Sequence, residues 1–234
     1  MDENKREVVK NSLLFKGTGE PLISQVTAEA ISRSVEDGGF FFMEGDPATH
    51  AYVLEQGRLK MMQVTPGGQQ ISLRIVTPGQ TFGAVALISP KDGYPVSAQA
   101  MQDSRAMAWE VDKLAGYARM EPSIALNAMQ LMHGYILELQ DRQQVLVSGK
   151  VEQRIARIVL KLASQFGRKG EKGVVISLPL TRQDLAEMSG TTLFTVSRTL
   201  KEWERRGLVS LGRERVCVCD PHGLVRLSEG LENG

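Results

Sequence analysis

Cysteine and histidine are scarce in this chain: 234 residues hold two cysteines and three histidines. Cys217 and Cys219 stand two residues apart and cannot build a disulfide framework. His50, His133 and His222 are scattered, so the close ligand cluster of a structural zinc site is missing. Long apolar runs are missing too. Stretches such as 155–162 are broken by charge and fall far short of the roughly 18–20 residues of a membrane span. Residues 1–10 carry mixed charge and no apolar core, so they do not read as a signal peptide. The expectation is a cytoplasmic protein with no membrane partner. No Gly-Lys phosphate loop, serine elbow or paired-carboxylate constellation occurs, which argues against an enzyme. Metal-dependent cupin chemistry would need clustered ligands, and only His50 falls in the Gly-punctuated stretch described below.

What is present is ordinary for a globular protein: 42% hydrophobic and 24% charged residues. The length fits one large or two modest domains. The net charge of +1 conceals an asymmetry: residues 1–150 hold 14 Lys+Arg against 17 Asp+Glu, net −3, and residues 151–234 hold 14 against 10, net +4. A basic C-terminal third is compatible with nucleic acid.

Residues 1–34 read as polar helix with a break at 17–21, and Leu22, Val26, Ala30 and Ile31 are spaced for one helical face. From 35 to 111, short apolar stretches alternate with turn signals: Asp37-Gly38-Gly39, Glu44-Gly45-Asp46, Gln56-Gly57, Pro66-Gly67-Gly68, Pro78-Gly79 and Asp92-Gly93. This punctuation, at about 8–12 residues, marks a β-sandwich or barrel. Residues 51–60 read strand–turn–strand, and so do 60–76. Residues 122–147 lack Gly and Pro except Gly134 and Pro122, the latter placed at a first helical position. Met132, Ile136, Leu139, Gln143 and Leu146 follow steps of 4, 3, 4 and 3. That spacing fits a two-helix dimer seam or a helix packed on its own domain; the seam is the expectation. Ser148-Gly149-Lys150 reads as a hinge. Ile155, Ile158, Val159 and Leu162 mark a further helix face, residues 169–173 a loop and 174–178 a short strand.

Residues 180–209 read as a helix-turn-helix. Thr181 is placed to cap the first helix, with Asp184 three residues on as in a capping box. Leu185 and Ala186 face a core, and Gly190 supplies the turn. The second helix buries Val196, Leu200 and Trp203 and presents Thr191, Thr192, Thr195, Ser197, Arg198 and Lys201. Such a face suits a DNA major groove: Arg pairs bidentately with guanine, and hydroxyls and amides at helix starts hold phosphates. Residues 208–211 and 216–219 flank Gly212-Arg213-Glu214-Arg215, a hairpin wing with a basic tip. The alternative, an αα-hairpin of an ordinary helical domain, leaves the wing and the polar face without a purpose. The DNA-contact set is therefore that face with Phe194, together with Thr181, Arg182, Gln183, Arg213 and Arg215.

The order of β-roll, long helix and winged helix-turn-helix resembles the CRP/FNR family of bacterial transcription regulators over nearly the whole chain. The motifs are Glu44-Gly45-Asp46-Pro47-Ala48, Glu55-Gln56-Gly57, Pro78-Gly79-Gln80-Thr81-Phe82-Gly83 and residues 180–209. The resemblance implies an α+β fold. An antiparallel β-roll, a jelly roll of the cyclic-nucleotide-binding kind, would span 1–121 with an N-terminal helix. A central dimerisation helix would follow over 122–149, and a winged helix-turn-helix over 150–234. It also implies a homodimer on a near-palindromic double-stranded site, contact with RNA polymerase, and an effector sensed in the roll.

Members that bind cAMP carry a Gly-Glu pair that holds the ribose and a later Arg-Ser-Ala that neutralises the phosphate. The matching stretches here are Gly83-Ala84-Val85 and Val96-Ser97-Ala98, so the acid is Ala84 and the cation Val96. A buried phosphate without its arginine is an uncompensated charge, which argues against cAMP. The N-terminal cysteines of iron–sulfur members are absent as well. Cys217 and Cys219 alternate with valines and read as strand residues, with thiol sensing the alternative. The pocket implied by the resemblance is apolar, with Met43, Met61, Met62, Val85, Leu87 and Met101 as lining candidates; Gly83, Ala84, Val96, Ser97, Met129 and His133 complete the effector set. An apolar pocket suits haem, with His133, or else His50, as axial ligand. Residues 191–198, with Phe194 in place of the family's base-reading Glu, are similar to the nitric-oxide-responsive NnrR-type branch. A constitutive regulator with a purely structural roll is the alternative.

Overall fold

The computed structural model describes residues 3–68, 70–147 and 149–231. It divides the chain into two units, Met1–Leu139 and Gln140–Gly234.

The first unit begins with α1 (Glu3–Asn11), a short 3-10 turn at Leu13–Phe15 and α2 (Glu20–Ala28). Eight strands follow: β1 (Ile31–Val35), β2 (Phe40–Phe42), β3 (His50–Gln56), β4 (Leu59–Val64), β5 (Gln70–Val76), β6 (Thr81–Phe82), β7 (Ser97–Ala100) and β8 (Ser104–Glu110). Then come α3 (Val111–Met120) and the long α4 (Ser123–Val147), whose residues from Gln140 onward belong to the second unit. The strands form two antiparallel sheets, in the orders β1-β8-β3-β6 and β2-β7-β4-β5.

Two-residue periodicity assigns each side of the first sheet to a different core. On β3, Tyr52 and Leu54 join the cluster between the sheets, while Ala51 and Val53 join the cluster under the helices. On β8, Ala106 and Ala108 point the first way, Met107 and Trp109 the second. Both faces being covered, the middle of β3 reads as a continuous apolar run. The helical layer is held by Trp109, which is 1% exposed and stacks edge-on against Phe15 at 5.1 Å. Its indole N–H donates to the Val26 carbonyl at 2.8 Å, pinning the end of α2 to the sheet.

Pairing separates two turns that look alike in sequence. β4 and β5 form a true hairpin around Pro66-Gly67-Gly68, Leu59 facing Val76 and Val64 facing Gln70. β3 and β4 are strand–turn–strand as expected but do not pair, because the chain changes sheets between them. Gly57 makes that corner at φ +95°, and a Cβ there would sit 2.6 Å from the Ser104 Cα.

The second unit holds α5 (Val151–Phe166), β9 (Gly167–Gly170), β10 (Gly173–Ile176), α6 (Arg182–Ser189), α7 (Leu193–Arg205), β11 (Val209–Gly212), β12 (Arg215–Val218) and α8 (Pro221–Glu229). The sheet order is β11-β12-β10-β9. Ile155, Val159 and Leu162 of α5 are buried as their spacing predicts, with Ile158 half-buried beside them. Trp203 of α7 is fully buried and donates its N–H to Glu152 at 2.8 Å.

Several boundaries differ from the sequence reading. Ile31 is in a strand, not on the α2 face: α2 stops at Ala28, and Ile31 pairs with Ala108. Pro122 precedes α4 by one residue. Lys169 and Gly170 are not loop but part of β9, pairing with Val174 and Gly173, which leaves only Glu171 and Lys172 as the turn. Ser148 of the expected hinge lies outside the described residues.

Trp109→Ala removes the aromatic anchor between α2 and β8. The expected cost is about 3–5 kcal/mol, read as a lower urea midpoint for the first unit. A midpoint unchanged from wild type would contradict this anchoring role.

Candidate functional site

Each unit presents one candidate site. The first is a cavity of about 340 Å³ within the first unit. Of the expected effector residues, Met61, Gly83, Ala84, Val85 and Val96 line it. Ser97 does not: it is buried, and its Oγ accepts the Glu44 N–H at 2.9 Å. Met129 and His133 do not line it either. The α4 residues buried on their own unit are Ile124, Asn127, Ala128 and Leu131. At 100° per residue His133 falls opposite them, and it is exposed. Its expected role as a haem ligand in this cavity is therefore corrected. His50 lies at the start of β3, outside the lining, with Nδ1 2.9 Å from Thr49 Oγ1. Burial, then Arg33, lowers its pKa. Met43 is exposed, and Met62, Leu87 and Met101 are not among the lining residues.

Sequence reasoning missed the polar end of this cavity. Arg74 of β5 and Tyr135 and Glu138 of α4 all line it. Arg74 Nη2 donates to the Thr81 carbonyl and to the Tyr135 hydroxyl, both at 3.2 Å. The Arg74 guanidinium carbon sits 4.1 Å from the centre of the Tyr135 ring, a cation–π contact. Tyr135 in turn donates to the Thr81 carbonyl at 2.9 Å. Burial raises the Tyr135 pKa, so the phenol stays protonated as a donor. Arg74 Nη1 lies 3.9 Å from Glu138.

The residues of the expected dimer seam lie in different surroundings on α4. Met132 is half-buried and packs on its own unit's core, and it lines the cavity with Ile136 and Leu139. Among the described side chains of α4, the exposed apolar ones are Leu126, Met129, Ile136, Leu137 and Leu139, each 50–61% exposed. Leu126, Met129 and Ile136, with His133 between, continue by steps of three and four to Gln143, which is exposed. The outward residues thus include Ile136, Leu139 and Gln143 of the expected seam, together with Leu126 and Met129. The Leu146 side chain lies outside the described residues.

The second site is built on α6, α7 and the β11–β12 wing. Thr181 caps α6 reciprocally: its Oγ1 accepts the Asp184 N–H and Asp184 accepts the Thr181 N–H, both at 3.0 Å. Gly190 ends α6 at φ +60°, the left-handed conformation the turn requires. Thr192 caps α7 by accepting the Thr195 N–H at 3.2 Å, and the two hydroxyls lie 2.9 Å apart. Val196, Leu200 and Trp203 are buried as expected. On the other side Phe194 is 72% exposed, and Arg198 and Lys201 are exposed one turn apart. Thr191 and Ser197 are half-buried, while Arg182 and Gln183 are exposed in the first turn of α6. The wing turn is Arg213-Glu214, between the paired Gly212 and Arg215, and both arginines are exposed. The Glu214 carbonyl accepts the Leu180 N–H at 3.0 Å, tying the wing tip to the start of α6.

Two family models match the chain: a cyclic nucleotide-binding domain at residues 32–119 and a Crp-like helix-turn-helix domain at 153–227. The chain belongs to the CRP/FNR family of transcription regulators. Two relatives support this CRP/FNR assignment. The "CRP-like cAMP-activated global transcriptional regulator" of Mycobacterium tuberculosis is 24% identical, covering 94% of this chain and 98% of its own. The "Transcriptional activator protein anr" of Pseudomonas aeruginosa is 25% identical, covering 86% and 82%. Among solved structures, FixK2 from Bradyrhizobium japonicum shares the fold, with a TM-score of 0.74 at 20% identity over 85% of this chain and 96% of that one. CRP/FNR regulators bind DNA and act as dimers. Ala84 and Val96, the positions that the resemblance matches to the acid and the cation of cAMP-binding members, both line the cavity. No helix among the described residues is long and apolar enough to cross a membrane.

Cys217 is buried on β12 and Cys219 half-buried just beyond it. Burial, then the neighbouring Cys217, raises the Cys219 pKa. A raised pKa lowers the thiolate fraction at neutral pH, and the thiolate is the reactive form. Alkylation of Cys219 by iodoacetamide at about pH 7.5 should therefore run several-fold slower than that of free cysteine. Equal or faster alkylation would contradict this inert environment.

Proposed function

We propose that the chain is a cytoplasmic, sequence-specific transcription regulator rather than an enzyme, acting as a homodimer on a near-palindromic double-stranded DNA site. The observation that carries this reading is α7, which buries Val196, Leu200 and Trp203 while leaving Phe194, Arg198 and Lys201 outward beside an arginine-bearing wing. Arg198 is our assignment for guanine recognition, and Phe194 for contact with a thymine methyl. Thr191, Thr195, Ser197, Lys201, Arg213 and Arg215 are assigned to positioning, together with Thr181, Arg182 and Gln183 at the start of α6. Thr192 has a first duty as the α7 cap and reaches phosphate only through its exposed side.

We assign residues 1–121 to sensing, 122–149 to dimerisation and 150–234 to DNA binding, with RNA polymerase as a further partner. The dimer surface is the outward stripe of α4. The effector binds the roll cavity and must favour the DNA-competent state to act. It is not cAMP held in the family's usual way: a cyclic phosphate set against Val96 would be desolvated without a cation, costing several kcal/mol. Nor is it haem held by His133, which faces away from the cavity.

Quantitative DNA binding tests the reading. Arg198→Ala should lose about 1–3 kcal/mol on the selected operator and relax specificity at one position, with little change on random DNA. Equal losses on both would remove Arg198 from base recognition. Failure of the wild type to prefer any sequence in a selection would overturn the regulator reading.

A further inference from the structure

We propose that the roll cavity takes a small molecule with an apolar body and a single carboxylate, and that Arg74 receives the carboxylate by exchanging it for Glu138. The proposal rests on the reading of the roll as the sensory domain and names the class of ligand it senses. Three observations carry it.

The first is shape and lining. At about 340 Å³ the cavity is of small-molecule size. Phe82, Val85, Val96, Met61 and Met132 make its walls largely apolar. A ligand that fills it must offer a matching apolar body.

The second is the placement of one cation. Arg74 is the lining arginine, and its side chain is only 19% exposed. Its position is fixed by the Thr81 carbonyl, the Tyr135 hydroxyl and the Tyr135 ring. A guanidinium so held is preorganised for an anion, with little side-chain entropy left to lose. A single cation balances a single negative charge. A dianionic phosphate would keep one charge uncompensated among apolar walls.

The third is the weakness of the present counter-ion. Glu138 approaches Nη1 only to 3.9 Å and is 42% exposed. A pair that long and that wet is worth little. A ligand carboxylate arriving from the apolar side would be better desolvated and could displace it, releasing Glu138 to solvent. A cationic head is disfavoured by the same arginine. The exchange also has a mechanical consequence, because Arg74 is on β5 and Glu138 on α4. Binding would replace a strand-to-helix contact with a strand-to-ligand contact, altering the hold of the roll on the helix.

The test is calorimetry on the full-length protein with a matched pair of probes, phenylbutyrate and phenylbutanol, alongside operator affinity with and without phenylbutyrate. The expected result is saturable phenylbutyrate binding, one per chain, with phenylbutanol weaker by about tenfold. Arg74→Gln should abolish that preference, and Arg74→Lys should keep part of it. Glu138→Gln removes the competing carboxylate and should tighten phenylbutyrate by roughly two- to fivefold; this variant leaves Arg74 and its partners in place and guards against misfolding of the first. Equal affinity for acid and alcohol in the wild type, no saturable binding of phenylbutyrate, or a Glu138→Gln variant that binds it more weakly would overturn the site. Arg74-dependent binding that leaves operator affinity unchanged would uphold the site and overturn the sensory reading on which it rests.

Discussion

Helix α4 carries apolar residues on more than one side, and its own unit covers only one of them. Ile124, Ala128 and Leu131 are buried against the helical layer of the roll. Met132 and Tyr135, on the next strip around the helix, meet that core and the cavity. Leu126, Met129, Ile136 and Leu137 remain outward. An exposed apolar stripe of this kind marks an interaction surface. The same helix therefore lines the cavity, holds the Arg74 contact and supplies the surface assigned to the second protomer. Tyr135 and Glu138 place part of the cavity lining on the same helix that carries the outward stripe.

The roll departs from a nucleotide-binding site in where it keeps its charge. The two positions that would grip ribose and phosphate are Ala84 and Val96, and the cation of the cavity comes instead from the middle of β5. The cavity's arginine thus stands on β5 beside α4 rather than at Val96. Tyr135 is central to that shift: it stacks on the guanidinium, accepts a hydrogen bond from it and donates to Thr81. Arg74 and Tyr135 thus share the Thr81 carbonyl as a common acceptor.

Much of this architecture was legible in the sequence for local reasons. Gly and Pro punctuation marks the roll because turns demand specific backbone conformations. The capping box at Thr181 and Asp184 and the left-handed Gly190 are chemical requirements of a helix-turn-helix, so they read directly from residue identity. Helix α8 was overlooked although its signal was there: Asp220 caps it by accepting the Gly223 N–H at 2.9 Å, Pro221 opens it and Gly230 closes it. What failed depended on tertiary partners. Ile31 looked helical because apolar spacing alone does not reveal that β8 supplies a strand partner. The outward phase of α4 follows from which side the roll covers, which no heptad count contains. Arg74 carries no signal of its own in the sequence, because its partners Thr81 and Tyr135 are brought to it only by the fold. His133 reads as a ligand from its place on the central helix beside the expected seam, but which side of that helix the roll covers is set by tertiary packing, and His133 is exposed outside the cavity lining.

The outward stripe of α4 is assigned to joining two protomers into the DNA-binding species. Sedimentation equilibrium of the wild type and of the double variant Leu126→Asp, Met129→Asp tests it most directly. The account predicts a wild-type mass of twice the 25.7 kDa chain, a folded monomer for the variant, and loss of tight binding to paired half-sites with single half-site binding retained. A variant that remains dimeric and binds paired half-sites as tightly as wild type would contradict it.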